Sequence, residues 1–232
     1  MRDNSTYYVL AYYPPDARPG RNHRIDVRVT RPGVTVRARK GYITPKKTDP
    51  PKNAPKDIRT AEIREALESP LPTSGLTIHA FAAPFKGARP NASVLLGVEL
   101  RGRDLKLSTA TAIQLSYMAI DATGKVRGGN TDALTMSNLK QATKERIEET
   151  GLRILNRMDL PPGKYQVRVA AHETGGGSVG SVLLDLEVPD YSKVPFAISG
   201  LVMTSASTSG MPVAKGDEQL KGVLPGCKSQ PF

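Results

Sequence analysis

Two runs near the N-terminus alternate apolar and charged residues with a period of two, which is typical of β-strands with one buried face. They are Arg24–Val29 and Val34–Arg39, and Arg31-Pro32-Gly33 between them favours a turn. A hairpin with one apolar face is only marginally stable alone, so we expect it to lie on another structure. The apolar face carries Ile25, Val27, Val29, Val34, Val36 and Ala38, and the charged face carries Arg24, Arg28, Arg37 and Arg39.

The next segment changes character twice. Residues 45–58 are rich in Pro and Lys and poor in apolar side chains, which predicts an extended linker. Residues 59–68 contain strong helix formers and end before Pro70, with Ile63, Ala66 and Leu67 on one face. We therefore predict a linker followed by one short helix.

From residue 75 a regular series of β segments begins, separated by turn-forming residues such as Asp121-Ala122-Thr123-Gly124. Seven or eight strands over about 130 residues is the pattern of an immunoglobulin-like sandwich. Residues 140–150 are predicted as a helical turn or a loop, and the Ser-, Gly- and Pro-rich chain after 205 as poorly ordered. The predicted strands are 76–81, 93–100, 113–121, about 133–139, 152–158, 165–172 and 182–188, with 198–204 as an eighth.

Composition narrows the class of protein. The chain has 19 Pro and 21 Gly, which suits short β elements joined by many turns. Trp is absent and Cys227 is the single cysteine, so no intrachain disulfide is possible. The sequence contains no run of 18 apolar residues, so it predicts no membrane span. The first residues do not resemble a signal peptide, so we expect any export signal to lie outside this chain.

The positive charge is uneven. Of the net +11, residues 1–60 hold +9 and the remainder only +2. This local excess makes Arg24, Arg28, Arg37 and Arg39 the candidate binding residues, for phosphates or acidic partner surfaces. The alternative is a solvated face that protects a sheet edge, and we favour it because no aromatic side chains alternate with the arginines. Nucleic acid is therefore not the expected partner.

The sequence gives little support for a catalytic, cofactor-binding or metal-binding motif. Gly176-Gly177-Ser178-Val179-Gly180 matches a nucleophile elbow, but a strand instead of a helix is predicted after it and no His follows. The same loop matches a dinucleotide-binding glycine pattern and lacks the required helix for the same reason, so we predict a glycine-rich hairpin loop. His23, His79 and His172 have no ligands at metal-binding spacing, although His79 and His172 could lie on neighbouring strands. Cys227 has no base near it in sequence.

Several segments resemble VWFA-related proteins common in Acidobacteria. They are Tyr7–Pro14, Arg24–Val29, Arg31–Tyr42 and Leu160–Ala170, with Gly180–Val182 and Val188–Asp190. The resemblance implies that the first stretches end a von Willebrand factor A-like domain and that the later ones belong to the β-rich domain downstream. It implies an exported protein, in the periplasm, on the cell surface or secreted. The metal-binding Asp-x-Ser-x-Ser motif of A domains does not occur, so no metal site is carried over.

Together these observations predict an all-β chain: an immunoglobulin-like β-sandwich preceded by a β-hairpin appendage and a short helix. The predicted organisation is 1–44 hairpin, 45–69 linker and helix, 70–204 sandwich and 205–232 flexible tail. We expect no enzymatic activity, catalytic residue, metal or cofactor, and a role as a protein-interaction or structural module. The alternative is polyanion or nucleic-acid binding through the hairpin, and a carbohydrate-binding sandwich ranks third. An upstream A-like domain is expected to pack on residues 6–43.

Overall fold

The structure is a computed structural model that describes residues 22–32, 41–43, 57–107, 112–136, 139–193, 196–202 and 210–215. The chain divides into two compact units, Met1–Asp57 and Ile58–Phe232. The first contains a short β-ladder. The second contains the sandwich and begins before residue 70, because the short helix belongs to it.

The N-terminal unit contains an antiparallel pair, β1 (Asn22–Arg24) and β2 (Gly41–Ile43), with His23 opposite Tyr42. The predicted strand from Arg24 to Val29 is wrong beyond its first residue, because residues 25–30 form no ladder. The alternation itself is present as far as Arg28: Ile25 and Val27 are half-buried, whereas Arg24, Asp26 and Arg28 are exposed. Val29, predicted on the apolar face, is 47% exposed. A period-two pattern reports which side of the chain is covered, but a ladder also needs a partner strand.

The sandwich contains two four-stranded sheets, whose orders are β10-β7-β4-β3 and β6-β5-β8-β9. Apart from β10, which pairs parallel to β7, all neighbours are antiparallel. Without β10, the orders correspond to strands E-B-A and C′-C-F-G of an immunoglobulin-like sandwich. The strands are β3 (Ile78–Lys86), β4 (Ala92–Leu100), β5 (Ala112–Asp121), β6 (Val126–Thr135), β7 (Leu152–Leu160), β8 (Gly163–Glu173), β9 (Ser178–Val188) and β10 (Val213–Lys215).

The core lies between the two sheets. Alternate residues of each central strand point inward, so that a row of aliphatic side chains on β4 faces a row on β5 and β8. At the β7–β8 corner, the Tyr165 hydroxyl donates to the carbonyl of Pro161 at 2.7 Å, as in the tyrosine corner of this fold. The fully or nearly fully buried residues of these rows include Val94, Leu96, Val98, Leu100, Ile113, Leu115, Ala119, Val167 and Val169.

Two helices flank the sheets. Helix α1 (Ala61–Glu68) confirms the predicted short helix, and Ile63, Ala66 and Leu67 are buried. Helix α2 (Gln141–Thr150) lies where a helical turn or loop was expected. It ends at Gly151, whose φ of +91° favours glycine and whose N–H donates to the carbonyl of Ile147 at 2.7 Å.

Strand β6 begins well before the predicted 133. Asp121 to Lys125 form a tight turn, with Gly124 at φ +84°, and the chain returns at once along β5. The early part of β6 was missed because residues 126–132 are polar and glycine-rich. An edge strand of a sandwich buries little, so it lacks the apolar alternation that reveals the others.

Part of the described chain after β9 lies on the outer face of the first sheet, where Val202 joins an apolar cluster with Leu95 and Leu155. We call residues 190–193 and 196–202 the strap. The eighth strand predicted at 198–204 is wrong within the described residues, because residues 196–202 form no ladder. Farther on, β10 joins the edge of β7 although the sequence from 205 predicted a poorly ordered tail.

Candidate functional site

The four arginines predicted as a binding face are only partly described. Arg24 and Arg28 are both exposed, as predicted, whereas Arg37 and Arg39 lie outside the described residues. Arg28 forms an ion pair with Asp26, whose Oδ2 lies 2.9 Å from Nη2 and 3.0 Å from Nε. This carboxylate reduces the local positive charge, and the arginine face remains a prediction.

A polar cluster that the sequence did not reveal lies between α1 and β8. Thr60 precedes α1, and its Oγ1 lies 3.2 Å from Nδ1 of His172, which is only 9% exposed. Glu62 Oε2 lies 3.9 Å from the same Nδ1. A hydroxyl, an imidazole and a carboxylate are therefore brought together by residues more than a hundred positions apart in the chain.

The geometry of this cluster is that of a helix cap and not that of a catalytic triad. A relay uses both ring nitrogens, one toward the nucleophile and one toward the carboxylate, but Thr60 and Glu62 both approach Nδ1 of His172. The Thr60 Oγ1 also accepts the N–H of Ile63 at 3.3 Å, as an N-cap does. Hydrogen bonds at the N-terminus of α1, first from its own backbone and then from Thr60, hold the pKa of Glu62 below its usual value.

Further polar contacts secure both ends of α1. The N–H of Thr60 donates to Oε1 of Gln114 at 2.8 Å, and Nε2 of Gln114 donates to the carbonyl of Ile58 at 3.0 Å. At the other end, Nη1 of Arg168 donates to the carbonyl of Leu67 at 2.7 Å. These side chains satisfy backbone groups that a helix end leaves without partners. Their arrangement positions a helix.

A second cluster lies on the inner side of β5 and β6. Burial raises the pKa of Tyr117 to about 12, and the negative charge of Asp132 adds to this effect. Asn130 Nδ2 donates to Oδ1 of Asp132 at 3.1 Å. A tyrosine with such a pKa is a poor acid–base catalyst near neutral pH. Across the core, Asn156 of β7 is 4% exposed, and its Nδ2 has no hydrogen-bond partner in the described part of the chain.

The glycine-rich loop after β8 is a hairpin turn, as the sequence predicted. Residues 174–177 form the turn and Ser178 starts β9, so the loop is flanked by strands on both sides. The fully buried Glu173 carboxylate accepts the N–H groups of Gly175 and Gly176 at 2.8 and 2.7 Å. Because no helix follows Ser178, neither the nucleophile elbow nor the dinucleotide-binding pattern has its structural context.

The remaining predicted chemistry is also dispersed. His79 is on β3 in the first sheet and His172 is on β8 in the second, so they do not lie on neighbouring strands. Within the described ranges, no group of three or more His, Cys, Asp and Glu side chains is placed to hold a metal ion. Cys227 lies outside the described residues. No helix of the described chain is long and apolar enough to cross a membrane.

The exposed apolar side chains are concentrated on the strap. Phe196, Ile198 and Leu201 are 84%, 83% and 83% exposed, more than any other large apolar residue of the described chain.

Beside the strap, a recess of about 10 Å³ lies between the β3–β4 hairpin and residues 189–192. That volume holds roughly one water molecule, so the recess is not a ligand pocket.

Comparisons with known proteins give a fold-level likeness only. No family model and no curated protein matches the sequence. Solved structures that match include a putative β-galactosidase from Bacteroides fragilis, 17% identical over 47% of this chain and 16% of that one, with a TM-score of 0.34. A β-glucuronidase from glycoside hydrolase family 2 is 11% identical over 48% of this chain and 11% of its own, with a TM-score of 0.33.

A third match is a family 2 member from Bacteroides cellulosilyticus, 13% identical over 49% of this chain and 15% of that chain, with a TM-score of 0.34. This chain therefore spans less than a fifth of each of these proteins. At such scores the likeness carries no argument about activity. The all-β, immunoglobulin-like sandwich is the level at which the chain is assigned.

Proposed function

We propose that the chain is a non-catalytic interaction or structural module of an exported bacterial VWFA-related protein. The observation that supports this function best is that the polar groups around α1 cap the helix and hold it on the sheet. His172, Thr60 and Glu62 are the described groups closest to a catalytic constellation, and they cap and dock a helix. Their positions serve the fold, which is what a module without chemistry requires.

The covering of both sheets agrees with this proposal. Helix α1 lies over the outer face of β5 and β8, and the strap lies over the outer face of β3 and β4. The chain itself therefore covers part of each outer face of the sandwich. Such a unit suits a multidomain protein, in which edges, loops and covering segments make the external contacts.

The test is a pull-down from the envelope fraction of the native organism, with the full chain as bait at low and at moderate salt. We expect a specific protein to be retained at moderate salt, because a packed interface depends less on ionic strength than a charged one does. Turnover of a substrate by the purified chain that one point substitution abolishes would overturn the proposal.

The alternative function is polyanion binding through the N-terminal arginines, and the exposure of Arg24 and Arg28 favours it. Replacing Arg24, Arg28, Arg37 and Arg39 by Gln is then expected to lower the affinity for heparin or nucleic acid. The slope of log K against log salt concentration should also fall in magnitude by about three. A matched control removes four exposed positive charges from the sandwich. Unchanged binding after the hairpin substitutions would exclude this alternative. The control substitutions are Arg101→Gln, Arg103→Gln, Lys125→Gln and Arg146→Gln.

A further inference from the structure

The strap has two sides of different character. Val202 packs inward onto an apolar cluster on the outer face of the first sheet, which includes Leu95, Leu155 and Phe85. Phe196, Ile198 and Leu201 remain more than four-fifths exposed. Covering the sheet explains the position of Val202. It does not explain why Phe196, Ile198 and Leu201 are exposed. Exposed apolar groups concentrated in this way mark an interaction surface.

The strap is held in place by one carbonyl group. The oxygen of Pro84 on β3 accepts the hydroxyl of Tyr191 at 2.8 Å and the N–H of Gly200 at 2.7 Å. Gly200 approaches β3 so closely that an added Cβ would lie 2.9 Å from Cβ of Ala83. Tyr191 and Gly200 therefore both lie near the end of β3, and Ile198 precedes the second of these anchors by two residues.

Positive charge accompanies these apolar groups. Lys86 ends β3, two residues after the anchoring Pro84, and Arg89 lies in the following turn, and both are exposed. Lys193, on the strap, is 80% exposed and lies 3.1 Å from the Asp190 carboxylate, which offsets its charge. Lys86 and Arg89 thus place two exposed positive charges near the Pro84 anchor and beside residues 189–192, and we call these two residues the positive rim.

We propose that the strap docks the protein onto an anionic lipid surface. Phe196, Ile198 and Leu201 enter the apolar layer, and Lys86 and Arg89 lie against the headgroup phosphates. A lipid surface fits better than a protein partner because the apolar groups project from an irregular segment that offers no regular helix or strand face for a partner to match. The adjacent recess of about 10 Å³ has no room for a partner's side chain. A fluid layer receives projecting groups without a complementary shape.

The chain offers a clean probe of this docking because it contains no Trp. In a Phe196→Trp variant of the full chain, the single indole reports only on the strap. We expect its emission to shift to the blue on vesicles of phosphatidylcholine and phosphatidylglycerol, and less on phosphatidylcholine alone. Co-sedimentation without a blue shift would overturn the proposal, since the basic N-terminal unit would then hold the vesicles.

A matched pair of triple variants separates the strap from other apolar groups. Phe196→Ser, Ile198→Ser and Leu201→Ser together are expected to weaken vesicle binding about a thousandfold, at about tenfold for each inserted side chain. The control replaces three other exposed apolar residues and is expected to change binding less than about twofold, since it leaves the inserted groups intact. The control substitutions are Ile58→Ser, Leu71→Ser and Val126→Ser, at residues 68%, 49% and 53% exposed.

Charge neutralisation tests the rim. Lys86→Gln and Arg89→Gln are each expected to weaken binding to the anionic vesicles on the order of fivefold and to leave binding to phosphatidylcholine unchanged. Equal loss on both vesicle types would contradict the role of these two side chains. Dimerisation that the triple serine variant abolishes would instead make a second copy the occupant and overturn the proposal. The proposal does not rest on the interaction function above, because vesicle binding and protein retention are separate readouts.

Discussion

The two outer faces of the sandwich are covered in different ways. On the second sheet, α1 combines buried Ile63 and Leu67 with hydrogen bonds from Gln114 and Arg168 to the backbone at both of its ends. On the first sheet, the irregular strap is anchored mainly at Pro84 and leaves three large apolar side chains in solvent. The helix completes the fold of its face, whereas the strap covers its face and presents apolar groups outward.

The largest expected effect comes from the helix side. Ile63 is fully buried between α1 and β8, so Ile63→Ala should lower the free energy of unfolding by about 2–5 kcal/mol. On the strap side, Val202→Ala removes two methyl groups from a half-buried residue and should cost only about 1 kcal/mol. Urea denaturation followed by circular dichroism measures both. Equal losses would contradict the comparison.

Next in size is the anchor of the strap. Gly200→Ala places a Cβ against Ala83 and Pro84, so the strap must shift, at an expected cost of about 1–3 kcal/mol. Gly210 is the matched control, because a Cβ added there meets no atom within 4 Å. If the Gly200→Ala and Gly210→Ala variants unfold at the same urea concentration, the strap does not pack closely against β3.

A smaller effect is expected at the cap of α1. Thr60→Ala removes the acceptor of the Ile63 N–H and the contact with His172, and should cost about 1 kcal/mol. Thr60→Ser keeps the hydroxyl and should retain most of the stability. Denaturant midpoints of the two variants decide this. A serine variant as unstable as the alanine variant would mean that the methyl group matters and the cap does not.

The smallest expected effects are on the pH dependence of stability. They come from one carboxylate on α1, Glu62, and one on the strap, Asp190. The pKa of Glu62 is lowered by hydrogen bonds at the start of α1, and the pKa of Asp190 by hydrogen bonds from Ser192 and Lys193. A lowered pKa in the folded state contributes stability that is present above the unfolded pKa of about 4. This contribution disappears as the pH falls through the folded pKa.

Glu62→Gln and Asp190→Asn should therefore each flatten the loss of stability below about pH 4. Urea denaturation between acidic and neutral pH, with the unsubstituted chain alongside, measures the difference. A steeper acid limb in either variant would contradict the direction of that pKa shift.

Elements with strong local patterns were predictable. Helix α1 was predicted within two residues, because Ile63, Ala66 and Leu67 recur at helical spacing and Pro70 forbids continuation. Strands β4, β5 and β7 to β9 were located because their inward residues are aliphatic. The start of β6 was not, because an edge strand carries little periodic signal. Residues 198–204 were predicted as a strand, whereas residues 196–202 form no ladder.

The polar cluster around α1 could not be found from sequence. Thr60 and His172 are 112 residues apart, and neither lies in a motif that indicates contact. The predicted arginine face shows the opposite case: alternation placed Arg24, Asp26 and Arg28 on one exposed side, and the structure pairs Asp26 with Arg28. Neighbours in space that are distant in sequence leave no local trace.

The sequence by itself determined the all-β class, the short helix, the hairpin turn at 174–177 and the absence of an intrachain disulfide. These depend on periodicity, turn residues and composition, which act over a few positions of the chain. The tertiary structure alone decided that α1 and the strap cover opposite faces, that His172 contacts Thr60 in the cap of α1, and that Phe196, Ile198 and Leu201 face solvent. The reason is that which face an element covers depends on the packing of distant segments, and no local pattern encodes that choice.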